Sequence, residues 1–195
     1  LLCLLHQLSA GREGPAAKVG DPWKHRSFRS LVSLVLVRCT TPSAAWQTFS
    51  LALHHDLEAA MIPALAILDD PEGKPHIRQY ALLTVAKFGD ERNVEEIKSL
   101  LDDNTICYRR EHPRTKELQF ECQVRDVALA TMIHLTSKDP RHFGFAEAKQ
   151  NAYSVYAPTS LGFANDEERQ RAYEKWMGDS GKGRSTGLPL DPFEE

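Results

Sequence analysis

The chain has 195 residues, of which 42% are hydrophobic and 26% charged, and its formal net charge is −3. That length carries one domain or one short repeat array with a continuous core. The mild acidity argues against a general nucleic-acid binder, which needs a strongly basic face. No apolar run approaches the roughly 18 residues of a membrane span; the longest, residues 31–37, is broken by Ser33.

The first residue is not Met, so a processed or excised piece of a longer protein is expected. Residues 1–5 (LLCLL) have the apolarity of a secretory core segment, yet no basic stretch precedes them. Positions 1, 4, 5 and 8 equally suit one face of a short helix, and that reading is preferred. Residues 11–22 read as a loop, so residues 1–26 form an N-terminal helix and loop. Lys24, His25, Arg26 and Arg29 cluster beside Trp23. Such a cluster can meet a phosphate, but a solvated helix start is the commoner meaning.

Ser27 is placed to cap an apolar helix that reaches Cys39. Residues 40–43 (TTPS) are turn chemistry, with Ser43 as N-cap of a helix carrying Trp46, Phe49, Leu51 and Leu53 and ending at His54, His55 and Asp56. Two histidines in a last turn favour the negative end of the helix dipole. Neighbours on a helix point about 100° apart, so this pair does not easily share an ion, and no metal site is expected.

The most informative stretch is residues 77–90 (IRQYALLTVAKFGD), whose pattern returns at residues 124–135 (VRDVALATMIHL). Apolar positions 77, 81, 85 and 88 make one helical stripe. The preceding segment repeats too: Met61, Ala64, Ile67 and Leu68 followed by Asp69 and Asp70 match Val94, Ile97, Leu100 and Leu101 followed by Asp102 and Asp103, at an offset of 33. The second helices match at an offset of 47 (77 to 124), so the second copy holds 14 extra residues between its helices. Pro63 should kink the first helix or lie near its start, Gly89 suits a helix C′ position, and Asp90 can cap the helix that follows.

These elements resemble the HEAT-repeat family, including its PBS-lyase-type HEAT-like branch. The likeness rests on the place of Pro63, the paired Asp after the first helix, and Val/Ile-Arg followed by Ala in the second. It covers residues 57–138 well and 27–56 weakly. The resemblance implies antiparallel helix pairs in which Asp70 and Asp103, with Arg78 and Arg125, bond between neighbouring units. Some HEAT-like proteins are enzymes. The deoxyhypusine-hydroxylase type carries His-Glu pairs, and this chain has no His-Glu dipeptide. The DNA-glycosylase type has a basic, aromatic concave face, which the charge balance disfavours.

The inserted residues alternate at period two, in 105–109 (TICYR) and 117–122 (ELQFEC), around a turn containing Pro113, which signals a β-hairpin. In one register Tyr108 faces Phe120 and Ile106 faces Cys122. A slip by one places Cys107 opposite Cys122 and allows a disulfide. Apolar matching favours the first register and hence free thiols. The four cysteines (Cys3, Cys39, Cys107, Cys122) are too sparse for a disulfide framework and show no CxxC or zinc spacing. The hairpin tip is locally basic, and Arg109, Arg110, Arg114 and Lys116 are the candidate partner-binding residues, since insertions in repeat proteins often lie on the binding face.

Beyond residue 140 the pattern changes. Phe143, Phe145, Tyr153, Tyr156, Phe163, Tyr173 and Trp176 supply seven of the sixteen aromatic residues. Residues 141–177 read as an aromatic cap with a last helix at 166–177, begun by a capping box from Asn165 and Glu168. The other use of these aromatics is to line a ligand pocket. Residues 178–195 read as a flexible tail.

There is no GxSxG, no phosphate-binding glycine loop and no HExxH. The expected architecture is all-α: a short α-solenoid of antiparallel HEAT-like helix pairs over residues 27–140, with a β-hairpin insertion (about 104–122) in the last repeat. The expected function is a non-enzymatic protein-interaction scaffold module belonging to a larger protein or assembly. It would bind an unidentified protein partner in the groove of its second helices, with no cofactor, metal, nucleic acid or membrane. The alternative is a HEAT-like catalytic or ligand-binding protein, bilin-lyase-like or other, with a pocket near Tyr153, Tyr156 and Trp176.

Overall fold

A computed structural model describes residues 22–38, 42–70 and 72–182. The N-terminal helix with Cys3, most of the loop at 11–22, Cys39, the turn residues Thr40 and Thr41, and the tail beyond 182 lie outside the described residues.

A short 3-10 turn, Pro22–Lys24, leads into α1 (Arg26–Val37). Ser27 is inside this helix rather than capping it, because the extended residue before it is His25. Helix α2 (Pro42–His55) is followed by a 3-10 turn at Glu58–Ala60 and α3 (Met61–Leu68). Pro63 falls in the first turn of α3, where its missing N–H costs nothing. Helix α4 (Pro75–Phe88) opens with Pro at N1, pre-set for helical φ. It ends at Gly89 in an extended conformation, not the left-handed C′ turn expected of it. Gly89 is there for space: a Cβ would stand 2.6 Å from Val85 O and 2.7 Å from Asn93 Oδ1. Asp90 accepts from Arg92 N at 2.9 Å and so turns the chain into α5 (Asn93–Ile97), which tightens to a 3-10 helix at Lys98–Asp102.

Strands β1 (Ile106–Glu111) and β2 (Leu118–Gln123) form an antiparallel hairpin that leads directly into α6 (Val124–Leu135). The ladder pairs Tyr108 with Cys122, Arg109 with Glu121 and Arg110 with Phe120, while Ile106 pairs with Gln123. The register preferred on apolar matching is therefore absent; Ile106–Gln123 and Glu111–Leu118 keep the slipped one, and between them the ladder moves one residue further, with Cys107 inserted as a bulge. Helix α6 starts on a capping box in which Gln123 N–H donates to the Asp126 carboxylate at 2.9 Å. Then come a 3-10 turn at Pro140–Phe143, a two-residue ribbon of β3 (Gln150–Asn151) and β4 (Val155–Tyr156), a 3-10 turn at Pro158–Ser160, and α7 (Asp166–Lys182). Asn165 caps α7 by accepting from Glu168 N at 2.9 Å. The helix continues through Gly178 into residues expected to be linker.

Helix α4 is the centre, packed against α2, α3 and α6, while α6 also packs on α5, the 3-10 helix at Lys98–Asp102, and α7. The stripe of Ile77, Ala81 and Val85 is buried, Thr84 and Arg78 are buried at its edges, and Gln79 is buried on the side that a surface helix leaves wet. The C-terminal segment covers Gln79, while Arg78 is closed over by its ion pair with Asp103. Gln79 donates to Pro158 O at 2.7 Å, and β4 and the Pro158–Ser160 turn lie on α4. Phe163 exchanges two backbone hydrogen bonds with Glu121 on the outer edge of β2, both 2.9 Å.

These contacts overturn the all-α solenoid. The described residues are mixed, mostly helical with two small antiparallel sheets, and the chain does not run on as a stacked array. The physical reason is the return of residues 140–163 across the second helices. It fills the face that an open array would keep as a groove.

Candidate functional site

The four basic residues nominated from the sequence divide into two pairs. Arg109 donates to Glu121 at 3.1 and 2.6 Å, across the ladder. Arg110 donates to Glu147 at 2.7 and 2.9 Å and covers the Phe120 ring at 5.0 Å. Both are neutralised within the chain. Arg114 and Lys116 stand exposed on the tip and form no ion pair among the described residues. Lys116 holds a left-handed backbone (φ 61°) in the turn closed by Lys116 N–H donating to His112 O at 3.0 Å.

With the second helices covered, a cleft lies at their ends. It measures about 820 Å³ and is bounded by the last turns of α4 and α6 and by the β3–β4 turn. Lys87 and His134, which occupy matching slots of the two repeated helices, both line it. Their equal positions from the Arg of each motif were the signal available in the sequence: equivalent positions on adjacent parallel helices end side by side.

The polar groups here are strongly arranged. His134 is half-buried, and burial lowers its pKa, keeping the imidazole neutral at pH 7. Its Nδ1 lies 3.4 Å from the hydroxyl of Tyr156, whose ring stands edge-on to it at 5.6 Å. Burial raises the Tyr156 phenol, as does the Asp139 charge, against the opposing pull of Arg141. Asp139 is held at about 2, first by the Arg141 side chain and then by its backbone N–H. Asp90, at the opposite wall, is held at about 2 by Arg92 in the same way. The two lysines are turned to partners outside the cleft. Lys87 Nζ donates to Leu53 O and meets Asp56, each at 2.6 Å, while Lys138 Nζ meets Asp179 at 2.5 Å. Glu91 is exposed, with no ion pair among the described residues.

His134, Ser137 and Asp139 all border the cleft but do not form a relay. The imidazole meets Tyr156, and the Asp139 carboxylate is occupied by Arg141. Among the described residues no group of three or more His, Cys, Asp or Glu could hold a metal ion. His54 and His55 have rings 4.8 Å apart at 79°, and they diverge: His55 stacks on Trp23 and His54 on Tyr153. No helix is long and apolar enough to cross a membrane, among the described residues.

The aromatic trio of the sequence reading separates. Tyr156 lines the cleft. Trp176 is buried against Phe143 at 5.7 Å, away from it. Tyr153 projects from the β3–β4 turn, 51% exposed, while its ring stacks on His54 at 4.3 Å. Two residues after it, Val155 holds φ 63°, a left-handed conformation that β-branched residues rarely adopt. The turn is held there by Asn151 Oδ1, which accepts from Tyr153 N and Ser154 N at 2.8 and 3.1 Å.

Comparison of the chain with protein-family models, curated proteins and solved structures finds no match.

Proposed function

We propose that the chain is a non-enzymatic protein-interaction scaffold module of a larger protein or assembly, and that it holds a partner polypeptide at the cleft between the ends of α4 and α6 and the β3–β4 turn. The carrying observation is the strained turn itself. A left-handed Val155 persists only where its surroundings over-determine it, and such strain gathers at ligand-holding segments. Here it displays Tyr153, a half-exposed ring already fixed by stacking on His54. A pre-ordered aromatic beside a cleft is the usual anchor of a binding hot spot.

The charge of the cleft indicates the partner's chemistry. Two helix C-termini point into it, each carrying about half a negative charge. Asp90 and Asp139 stay ionised, Glu91 adds another carboxylate, and both lysines are engaged elsewhere. A partner segment bearing Lys or Arg fits this field. Membership of the HEAT-repeat family, proposed on the motifs and their offsets, is supported by the contact of Arg78 with Asp103 across neighbouring helix pairs.

A photo-crosslinking residue at position 152, compared with one at position 114 on the hairpin tip, tests this reading. The expected result is cross-links from position 152 to a Lys- or Arg-bearing segment of another protein, abolished by Tyr153→Ala. Cross-links confined to position 114, or recovery unaffected by Tyr153→Ala, would overturn it. The catalytic or ligand-binding alternative has less support, since the hydroxyl in contact with His134 is the Tyr156 phenol, which burial keeps protonated.

A further inference from the structure

The hairpin brings together two thiols that its sequence keeps fifteen residues apart. The ladder pairs Ile106 with Gln123 and Tyr108 with Cys122, which leaves Cys107 as the extra residue of a bulge. In a bulge two residues of one strand oppose one residue of the other, so Cys107 and Tyr108 share Cys122 as their partner. Opposed residues of an antiparallel ladder stand about 4.5–5.5 Å apart at Cα, within the span of about 4.4–6.8 Å that a disulfide bridges.

Both side chains are directed at the same helix. Cys107 Sγ–H donates to Pro75 O at 3.5 Å, and Gln79 Nε2–H donates to Cys122 Sγ at 3.7 Å. The Cys122 thiol is pushed well up, first by the neighbouring Cys107 thiol and then by burial. Cys122 is fully buried and Cys107 half-buried, so only one of the two is open to an external reagent. The bonds that the two thiols make to Pro75 O, Gln79 and Gln123 O are weak and long, so closing the pair breaks no strong contact.

We propose that Cys107 and Cys122 are a reversible oxidation site that closes to a disulfide across the bulge. The oxidant is a low-molecular-weight disulfide of the glutathione class. Cys107 gives its proton to solvent and attacks one sulfur of the small disulfide; a mixed disulfide forms and one small thiolate leaves, to be protonated. Cys122 then gives up its proton and attacks the Cys107 sulfur, expelling the second small thiolate. Two protein thiols lose two electrons, and one small disulfide becomes two small thiols. The order follows from exposure, because Cys122 meets nothing from solvent and Cys107 lies against it. The bridge fixes the strand register on either side of the bulge, and with it the Arg109–Glu121 pair one residue further along.

The test is incubation of the full, native-sequence chain in glutathione buffers of graded oxidised-to-reduced ratio, followed by peptide mapping by mass spectrometry under non-reducing conditions. The expected product is a single linked pair of peptides holding Cys107 and Cys122, lighter by two hydrogens and reopened by dithiothreitol. Cys122→Ser or Cys122→Ala should instead trap a glutathione adduct on Cys107, whereas Cys107→Ser should leave Cys122 unmodified in the folded chain. A lasting adduct on Cys107 with Cys122 present would overturn the proposal. So would linkage of Cys107 to Cys3 or Cys39, or no modification at either position across the whole range.

Discussion

Arg169 on α7 donates its Nε–H to the carboxylate of Asp126 on α6, 2.8 Å away, and both side chains are buried. The other oxygen of Asp126 accepts from Gln123 N–H at the start of α6, so one carboxylate caps its own helix and moors the last one. Burial raises the Asp126 pKa, with Arg169 pulling the other way. The same guanidinium lies near Glu121, 3.8 Å from its Oε1, which ties the hairpin, α6 and α7 into one ionic knot.

Removing that guanidinium is therefore expected to be severe. Arg169→Met leaves Asp126 without its counter-ion, and stripping one partner from a buried pair costs about 3–5 kcal/mol. Urea unfolding of the variant measures the loss. Adding Asp126→Asn to it should recover part of the deficit, as a double-mutant coupling. A loss below about 1 kcal/mol would mean that water reaches the carboxylate.

Gly162 makes the second expectation. A Cβ at this position would overlap Glu121 O and stand 2.8 Å from Cys122 Cα. Gly162→Ala should push the returning segment off the edge of β2 at a cost of about 1–3 kcal/mol. Hydrogen exchange gives the direct readout, since the Phe163 amide, which now donates to Glu121 O, should lose protection before the amides of α4.

The third concerns acid. Burial holds the His134 pKa below its ordinary 6.5, so between the two values the unfolded chain carries the extra proton. Stability rises with pH wherever the unfolded state binds more protons. The contribution of a neutral His134 is thus complete above the unfolded value and is lost as pH falls through the folded one. The free energy of unfolding, followed from about pH 7 to about pH 5, should drop less in His134→Gln than in the wild type. Parallel curves would show that the imidazole is hydrated in the cleft.

The hairpin separates structural from free charge. Arg114→Glu with Lys116→Glu should change stability by no more than about 0.5 kcal/mol, as surface substitutions do. Arg109→Ala should cost about 1–3 kcal/mol, because Glu121 beside it is nearly buried and loses a charged donor. Thermal unfolding of the two variants side by side distinguishes them. Equal, negligible shifts would mean that Gln123 and Arg169 alone satisfy Glu121.

The parts of the molecule legible in the sequence are those set by local chemistry. The period of Ile77, Ala81 and Val85, the Pro63 turn, and the Asn165 cap all act within a few residues, and each is where its pattern places it. The bulge was not legible. Alternation determines which face a strand residue takes, and an inserted residue such as Cys107 changes the partner without disturbing the pattern on either side. The return of the C-terminal segment was hidden for a different reason, since its contacts join residues far apart, as Gln79 and Pro158 are. One sign of it was present in α4, where Gln79 stands on a side that an edge helix would leave wet, with nothing local to say what would cover it. The cleft shared that obscurity: the matched slots of Lys87 and His134 were visible, but the turn that closes over them came from outside the repeat.

Gln79 bonds both Cys122 and Pro158, which follow it in the chain by 43 and 79 positions. A chain emerging from the ribosome presents α4 long before either partner exists. Until residue 158 is free to fold back, that buried amide and the apolar surface around it face water or a chaperone. Helix pairs can therefore dock one after another as they are made, yet the core closes only at the end, in a single late step that depends on long-range contacts.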